Sequence, residues 1–214
     1  NLANLTGMVQ NGLNKILVGS APRKMYRGEG FVMNFDVQQG LVNYFMPDLK
    51  LPNGANVEGE YNGDANHLVL NVDAASLKYI MTKKEDISDV DTALANANKD
   101  YAIKDREKIT KDSVMIDSVM LRINTANLDQ QLYAKIKKID YNKNIIKDFT
   151  VIGKNENNTS LHIATNFLYG SSEDEAENDM KNYAINFSQT TNSFGDYIFK
   201  FDPTDVSFND VKWM

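Results

Sequence analysis

The sequence predicts a mainly β protein, an antiparallel meander with an amphipathic helix at its start and one or two short helical insertions. Three observations carry that expectation. Apolar residues recur at every second position through most segments after residue 51, the period of a half-buried strand. The loops between those segments are short and rich in Asn, Gly and Asp, which is hairpin punctuation. No helical pattern separates consecutive strands, as parallel crossovers would require.

Taken in order, NLANLTGMVQNGLNKIL places Leu2, Leu5, Met8, Val9, Leu13, Ile16 and Leu17 along one helical stripe, weakened by Gly7 and Gly12. A helix that covers a sheet face or edge is expected here. After Ala21-Pro22, GFVMNFDV is a strand, and the segment that follows is a short helix with Leu41, Val42 and Phe45 inward, stopped by Pro47. Gly28 to Gly30 mark a turn or bulge. Residues 1–50 are thus expected to form a helix-strand-helix lead-in that packs on the sheet built by residues 51–214. NVEGEYNG and HLVLNVD form a hairpin in which Leu68, Leu70 and Val72 share one side; His67, Asn71 and Asp73 take the other, and Val69 spoils the alternation. Residues 82–112 are polar and charged and are expected to be a solvated insertion. The pattern then returns in SVMLRIN, LYAKIKK, KDFTVIGK, SLHIATNF, NYAINFS and DYIFKFD, with an acidic excursion at SSEDEAENDMK. VSF and VKWM read as the start of further strands, so the chain is expected to be a piece of something longer.

Composition narrows the function classes. At 214 residues with 42% apolar content the chain holds enough hydrophobic material for a core, which excludes wholesale disorder. A net charge of −6 argues against a nucleic-acid partner, which needs a clustered basic face. The lack of cysteine excludes disulfides and thiolate zinc sites. No apolar run reaches the roughly 18 to 20 residues that span a bilayer. His67 and His162 stand alone on separate strands, without metal-ligand spacing. DISDVD lacks the central glycine and closing glutamate of a calcium loop. There is no nucleophile elbow and no phosphate-cradling glycine loop. Asp140, Asp148, Asp202 and Asp205 read as solvated charges, not a glycosidase pair. No catalytic residue, metal or cofactor is assigned, and a non-enzymatic protein is expected.

Three stretches, YFMPDLKLPNGANVEGEYNGDANHLVLNVDAASLKYI, DSVMLRINTANLDQQLYAKIKKIDYNKNIIKDFTVIGKNENNTSLHIATNF and YIFKFDPTDVSFNDVKWM, resemble the large TamB proteins of the Bacteroidetes, within the AsmA-like envelope family. The resemblance implies a curved, half-pipe-like sheet (a β-taco) with a greasy interior, in the periplasm, anchored to the inner membrane through a helix outside this sequence. It implies partners too: phospholipid acyl chains or unfolded outer-membrane proteins, and an outer-membrane protein of the Omp85 class reached through other parts of the parent. The family's work is phospholipid transport to, or protein assembly in, the outer membrane.

The candidate apolar lining is Leu68, Leu70, Val72, Leu77, Tyr79, Leu121, Ile123, Leu132, Ile136, Phe149, Val151, Leu161, Ile163, Phe167, Ile185, Phe187, Phe199 and Phe201. Two other readings use the same residues. One is a module that binds protein strands at an open sheet edge. The other is a closed structural or adhesin-like domain, with the N-terminal helix as a lid.

Overall fold

The computed structural model describes residues 4–20, 24–85, 108–127, 130–171, 180–202, 206–208 and 211–213. Among the described residues two helices, α1 (Leu5–Asn14) and α2 (Gln39–Phe45), accompany twelve strands. These are β1 (Gly30–Val37), β2 (Leu49–Lys50), β3 (Ala55–Asn62), β4 (His67–Glu85), β5 (Lys108–Asn124) and β6 (Leu132–Tyr141). β7 (Asn144–Glu156), β8 (Ser160–Ser171), β9 (Lys181–Thr191), β10 (Tyr197–Phe201), β11 (Val206–Phe208) and β12 (Val211–Trp213) follow.

Ten strands form one open antiparallel sheet in the order β1-β3-β4-β5-β6-β7-β8-β9-β10, with β2 beside the far half of β4; β11 and β12 pair separately. From β3 onward each strand pairs with the next in sequence, the meander that short polar loops dictate. β1 belongs to the sheet as its edge strand, paired along its whole length with β3, and does not lie upon it. The strands also reach into the segment expected to be an insertion. β4 continues to Glu85 and β5 starts at Lys108, in register from Val69↔Asn124 to Glu85↔Lys108. Its polar composition hid this, because a run of residues without apolar alternation carries no strand signal. The remainder of that insertion and most of the acidic excursion lie outside the described residues.

Residue pairing fixes the two faces. On one side run Leu70, Ile123, Leu132, Gly153, Ile163, Phe187 and Phe201, each opposite the next. Beside that row run Val57, Val72, Leu121, Ala134, Val151, Thr165 and Ile185. On the other side run Asn34, Glu58, Asn71, Arg122, Tyr133, Ile152, Ala164 and Asn186. One face is dry and the other wet. Val69, opposite Glu60 and Asn124, takes the wet side.

α1 lies on the dry face at the end of the sheet that carries Tyr61 and Leu68. Met8, Ile16 and Val18 form a buried cluster there with Tyr26, Tyr61, Leu68, Ile123, Leu161 and Ile163. Gly12 permits the contact, since a Cβ on it would fall 2.3 Å from the Leu68 Cβ. The stripe read from the sequence is therefore only partly used. Met8 and Val9 pack inward from the helix, Ile16 and Leu17 follow after it ends, and Leu13 is exposed. α2 buries only Val42 of its apolar residues; Leu41 and Phe45, expected inward, stand in solvent. Helix α2 is anchored by Gln39, whose amide nitrogen donates to the Leu49 carbonyl while its oxygen accepts from the Leu51 N–H.

A crease crosses four strands in register. Ala75 and Ser118 are unpaired between Ala74↔Val119 and Ser76↔Asp117. Lys137 is skipped on both of its sides, and Asp148 sits where the β7–β8 register shifts. Ser118 and Asp148 have left-handed backbones, φ 51° and 50°. The apolar period slips by one residue along this same line: Ala74 to Leu77, Ile116 to Val119, Ile136 to Ile139, Ile146 to Phe149. In an unbroken strand such a slip would move the second half's apolar residues to the wet face. The unpaired residue of each strand absorbs it by setting two consecutive residues on one side, and the register itself shifts only between β7 and β8. Asp117–Ser118, Lys137–Lys138 and Lys147–Asp148 do line one depression together, of about 520 Å³. Past the crease a further apolar row, Leu77, Ile116, Ile139, Ile146 and Tyr169, is again in register.

Candidate functional site

The dry face is a feature of this sheet with chemistry beyond holding the fold. Each strand contributes side chains at alternate positions, and pairing lays them edge to edge. The two rows between Leu70 and Ile185 contain no charged residue. Thr165, the lone hydroxyl among them, turns its Oγ1 to the Ile185 carbonyl. A third row, Ala55, Ala74, Val119, Ile136 and Phe149, ends in aromatic packing. Phe167 stacks on Tyr183 with centroids 5.4 Å apart and lies 5.9 Å from Phe149.

The eighteen predicted lining residues fall into four groups. Leu68, Ile123, Leu161 and Ile163 are buried beneath the N-terminal segment and are core, not open lining. Leu70, Leu121, Leu132, Val151 and Phe187 flank that cluster and remain partly exposed. Val72, Ile136, Phe149, Phe167 and Ile185 form the uncovered middle, also partly exposed. Leu77 and Tyr79 lie beyond the crease, with Tyr79 41% exposed, and Phe199 and Phe201 stand on the edge strand β10, every residue of which is exposed.

Sequence reasoning missed the polar residues set into the dry side. Gln189 follows Tyr183, Ile185 and Phe187 in phase, and it is wholly buried. Its Oε1 accepts from the Val18 N–H at 2.9 Å and its Nε2 donates to the Val18 carbonyl at 3.3 Å. Asn155 follows Phe149, Val151 and Gly153 in phase and donates from Nδ2 to the Ile16 carbonyl at 2.9 Å. Thr125, in phase with Ile123, accepts from the Leu68 N–H through Oγ1 at 2.8 Å. The available signal was an amide or hydroxyl at an apolar phase, where a buried polar group needs a partner.

The wet face carries ordinary solvated pairs. Arg122 grips both oxygens of Asp73 at 2.7 Å, and Lys138 reaches Asp140 at 3.2 Å. Among the described residues no group of three or more His, Asp or Glu is placed to hold a metal ion. Ser160 Oγ meets His162 Nε2 at 3.0 Å on the exposed side, beside Glu156 at 3.8 Å.

Comparison with family models, curated proteins and solved structures finds no match. The chemistry of the dry face itself has to carry the functional reading. A charge-free surface several strands wide offers no acid, base or nucleophile to a substrate. What it offers is a place where hydrocarbon leaves water.

Proposed function

We propose that this chain is a periplasmic segment of a TamB-like, envelope-spanning protein whose dry sheet face shields hydrocarbon from water. The carrying observation is the uncharged rows from Val57 to Ile185, left partly exposed beyond the reach of α1. Phospholipid acyl chains are the ligand of that chemistry. Each methylene kept dry contributes about 0.8 kcal/mol, so a chain of roughly 16 carbons gains on the order of 10 kcal/mol before ordering costs. A wall without buried charge holds no single position tightly, which suits sliding.

Geometry adds support. The row from Val57 to Ile185 crosses seven strands side by side, and at about 4.8 Å per neighbour it extends roughly 29 Å, more than one acyl chain needs. The crease runs along that same direction. Two consecutive residues line the wet side where the crease crosses β5, β6 and β7, and strands bent towards the dry side at that line would supply the curvature of a half-pipe. Under this reading the parent is anchored to the inner membrane by a helix outside this sequence. It meets an Omp85-class partner through other regions, and its work is phospholipid transport to, or protein assembly in, the outer membrane.

Photo-crosslinkers tell the faces apart. Placed at Val72, Val151 and Ile185 in living cells, they are expected to capture phospholipid, whereas those at Arg122, Lys135 and Asn186 are not. Equal labelling from both faces would sink the groove.

A second reading, strand addition by an unfolded client, draws on β10, where Tyr197, Ile198, Phe199 and Phe201 expose apolar groups on both sides of an edge strand. Client binding lost in Phe199→Pro yet kept in Ile185→Lys would favour that reading over the wall.

A further inference from the structure

The end of the dry face beneath residues 16–18 is built differently from the rest. An apolar wall needs no hydrogen-bonding groups, yet this end carries two buried amide side chains, Gln189 and Asn155, 0% and 3% exposed. Gln189 accepts from the Val18 N–H through Oε1, while its Nε2 donates to the Val18 carbonyl at 3.3 Å and to the Thr190 carbonyl at 3.0 Å. Asn155 donates to Ile16, two residues earlier. Between them the pair reads two backbone positions of the turn that follows α1, closed by the Ile16 N–H on the Leu13 carbonyl and the Ser20 N–H on the Leu17 carbonyl. Ile16 and Val18 meanwhile bury their side chains among Leu68, Leu161 and Ile163.

We propose that Gln189 and Asn155 form a backbone-reading site for an apolar peptide turn, occupied in this chain by its own residues 16–18. The ligand class follows from what the amides demand. A hydrocarbon chain laid there would leave the Gln189 oxygen without the Val18 N–H and the Asn155 amide nitrogen without the Ile16 carbonyl, a costly arrangement for buried amides. A peptide supplies both, with branched side chains for the apolar floor. This end therefore rejects acyl chains and accepts a protein segment, which gives the sheet two ligand classes at two places. The site stands apart from the lipid reading and survives its failure.

Ile16→Asp in the full chain puts a charge where the segment meets the apolar floor, so it evicts the resident residues and vacates the site. The probe is a fluorescent, end-blocked peptide with the sequence of residues 14–20, followed by anisotropy. The Ile16→Asp chain is expected to bind it at least tenfold more tightly than the unaltered chain, whose own segment competes at high effective concentration. A peptide N-methylated at the position matching Val18 lacks the N–H that Gln189 accepts. It is expected to bind the Ile16→Asp chain at least tenfold more weakly than the parent peptide. In the double variant Ile16→Asp/Gln189→Leu the two peptides should bind alike, a comparison unaffected by a general loss of stability. No binding to Ile16→Asp, no discrimination against the N-methyl peptide, or discrimination that persists without Gln189 would each overturn the assignment. Uptake of an apolar dye by the uncovered middle of the wall, measured in the same chains, reports on the lipid reading separately.

Discussion

A methyl group on Gly12 would press into Leu68, and two effects of opposite sign meet there. Inside a helix Ala is favoured over Gly by about 1 kcal/mol. Overpacking a filled core costs typically about 1–3 kcal/mol. With the added carbon 2.3 Å from the Leu68 Cβ, the clash wins. Gly12→Ala is expected to lower the Tm followed by circular dichroism; a raised midpoint would mean that α1 does not bear on Leu68. His67 is a second residue-scale case. Burial, with repulsion from Lys15 as the lesser cause, holds its imidazole below the ordinary value of 6.5. Its folded pKa is thus the lower one, and the unfolded chain takes up the proton first as pH falls. Above about pH 6.5 the residue is neutral in both states and costs nothing; below it, stability declines. Urea midpoints at pH 7.5 and 5.5 should draw closer together in His67→Asn, and an unchanged gap would remove His67 as a source of the acid loss. Gln189 was open to view in the sequence as an amide at an apolar phase. Its partner was not, because Val18 lies 171 residues away and only packing joins them.

At the scale of elements the crease decides most. Asp148 and Ser118 hold left-handed backbones inside strands, a conformation that costs an ordinary residue about 1–2 kcal/mol and costs glycine almost nothing. Asp148→Gly is expected to leave chemical-denaturation stability equal or raised, while Asp148→Val lowers it by about 1–2 kcal/mol. Equal loss in both would mean that the Asp148 side chain, not the backbone turn, supports the crease. The phase slip behind this was written in the sequence as a three-residue step between apolar positions in four consecutive strands. That the four steps fall on one line was not, since register between strands depends on loop lengths and tertiary pairing. α2 marks the opposite limit. Its existence was legible from Gln39 to Pro47, but the side it would bury was not. Seven residues make under two turns, and what lies beneath them is β2, a strand two residues long that periodicity cannot reveal.

For the whole molecule, adjacent positions on β9 provide a matched test. Ile185 stands on the dry face and Asn186 on the wet one. Ile185→Lys is expected to reduce the fluorescence of an apolar dye bound to the chain at least severalfold, and Asn186→Lys to leave it unchanged. Similar effects from both would show that dye uptake does not report on the wall. Stability should change by about 1–2 kcal/mol or less in Ile185→Lys, since a partly exposed site lets the ammonium reach water. Distance decides the difference between the two readouts. A snorkelling charge is tolerated by the fold, yet it interrupts a surface whose use depends on having none.

The sequence alone determined a meander with one dry and one wet face, because alternation with period two and short polar loops are local properties that each segment carries for itself. Only the tertiary structure decided how much of the dry face stays open. Whether Leu68 or Ile185 meets solvent depends on where α1 comes to rest, and that is set by Gly12, Gln189 and Asn155 meeting partners far along the chain. A covered and an uncovered apolar residue obey the same alternation, so the pattern of residues cannot distinguish a core from a wall.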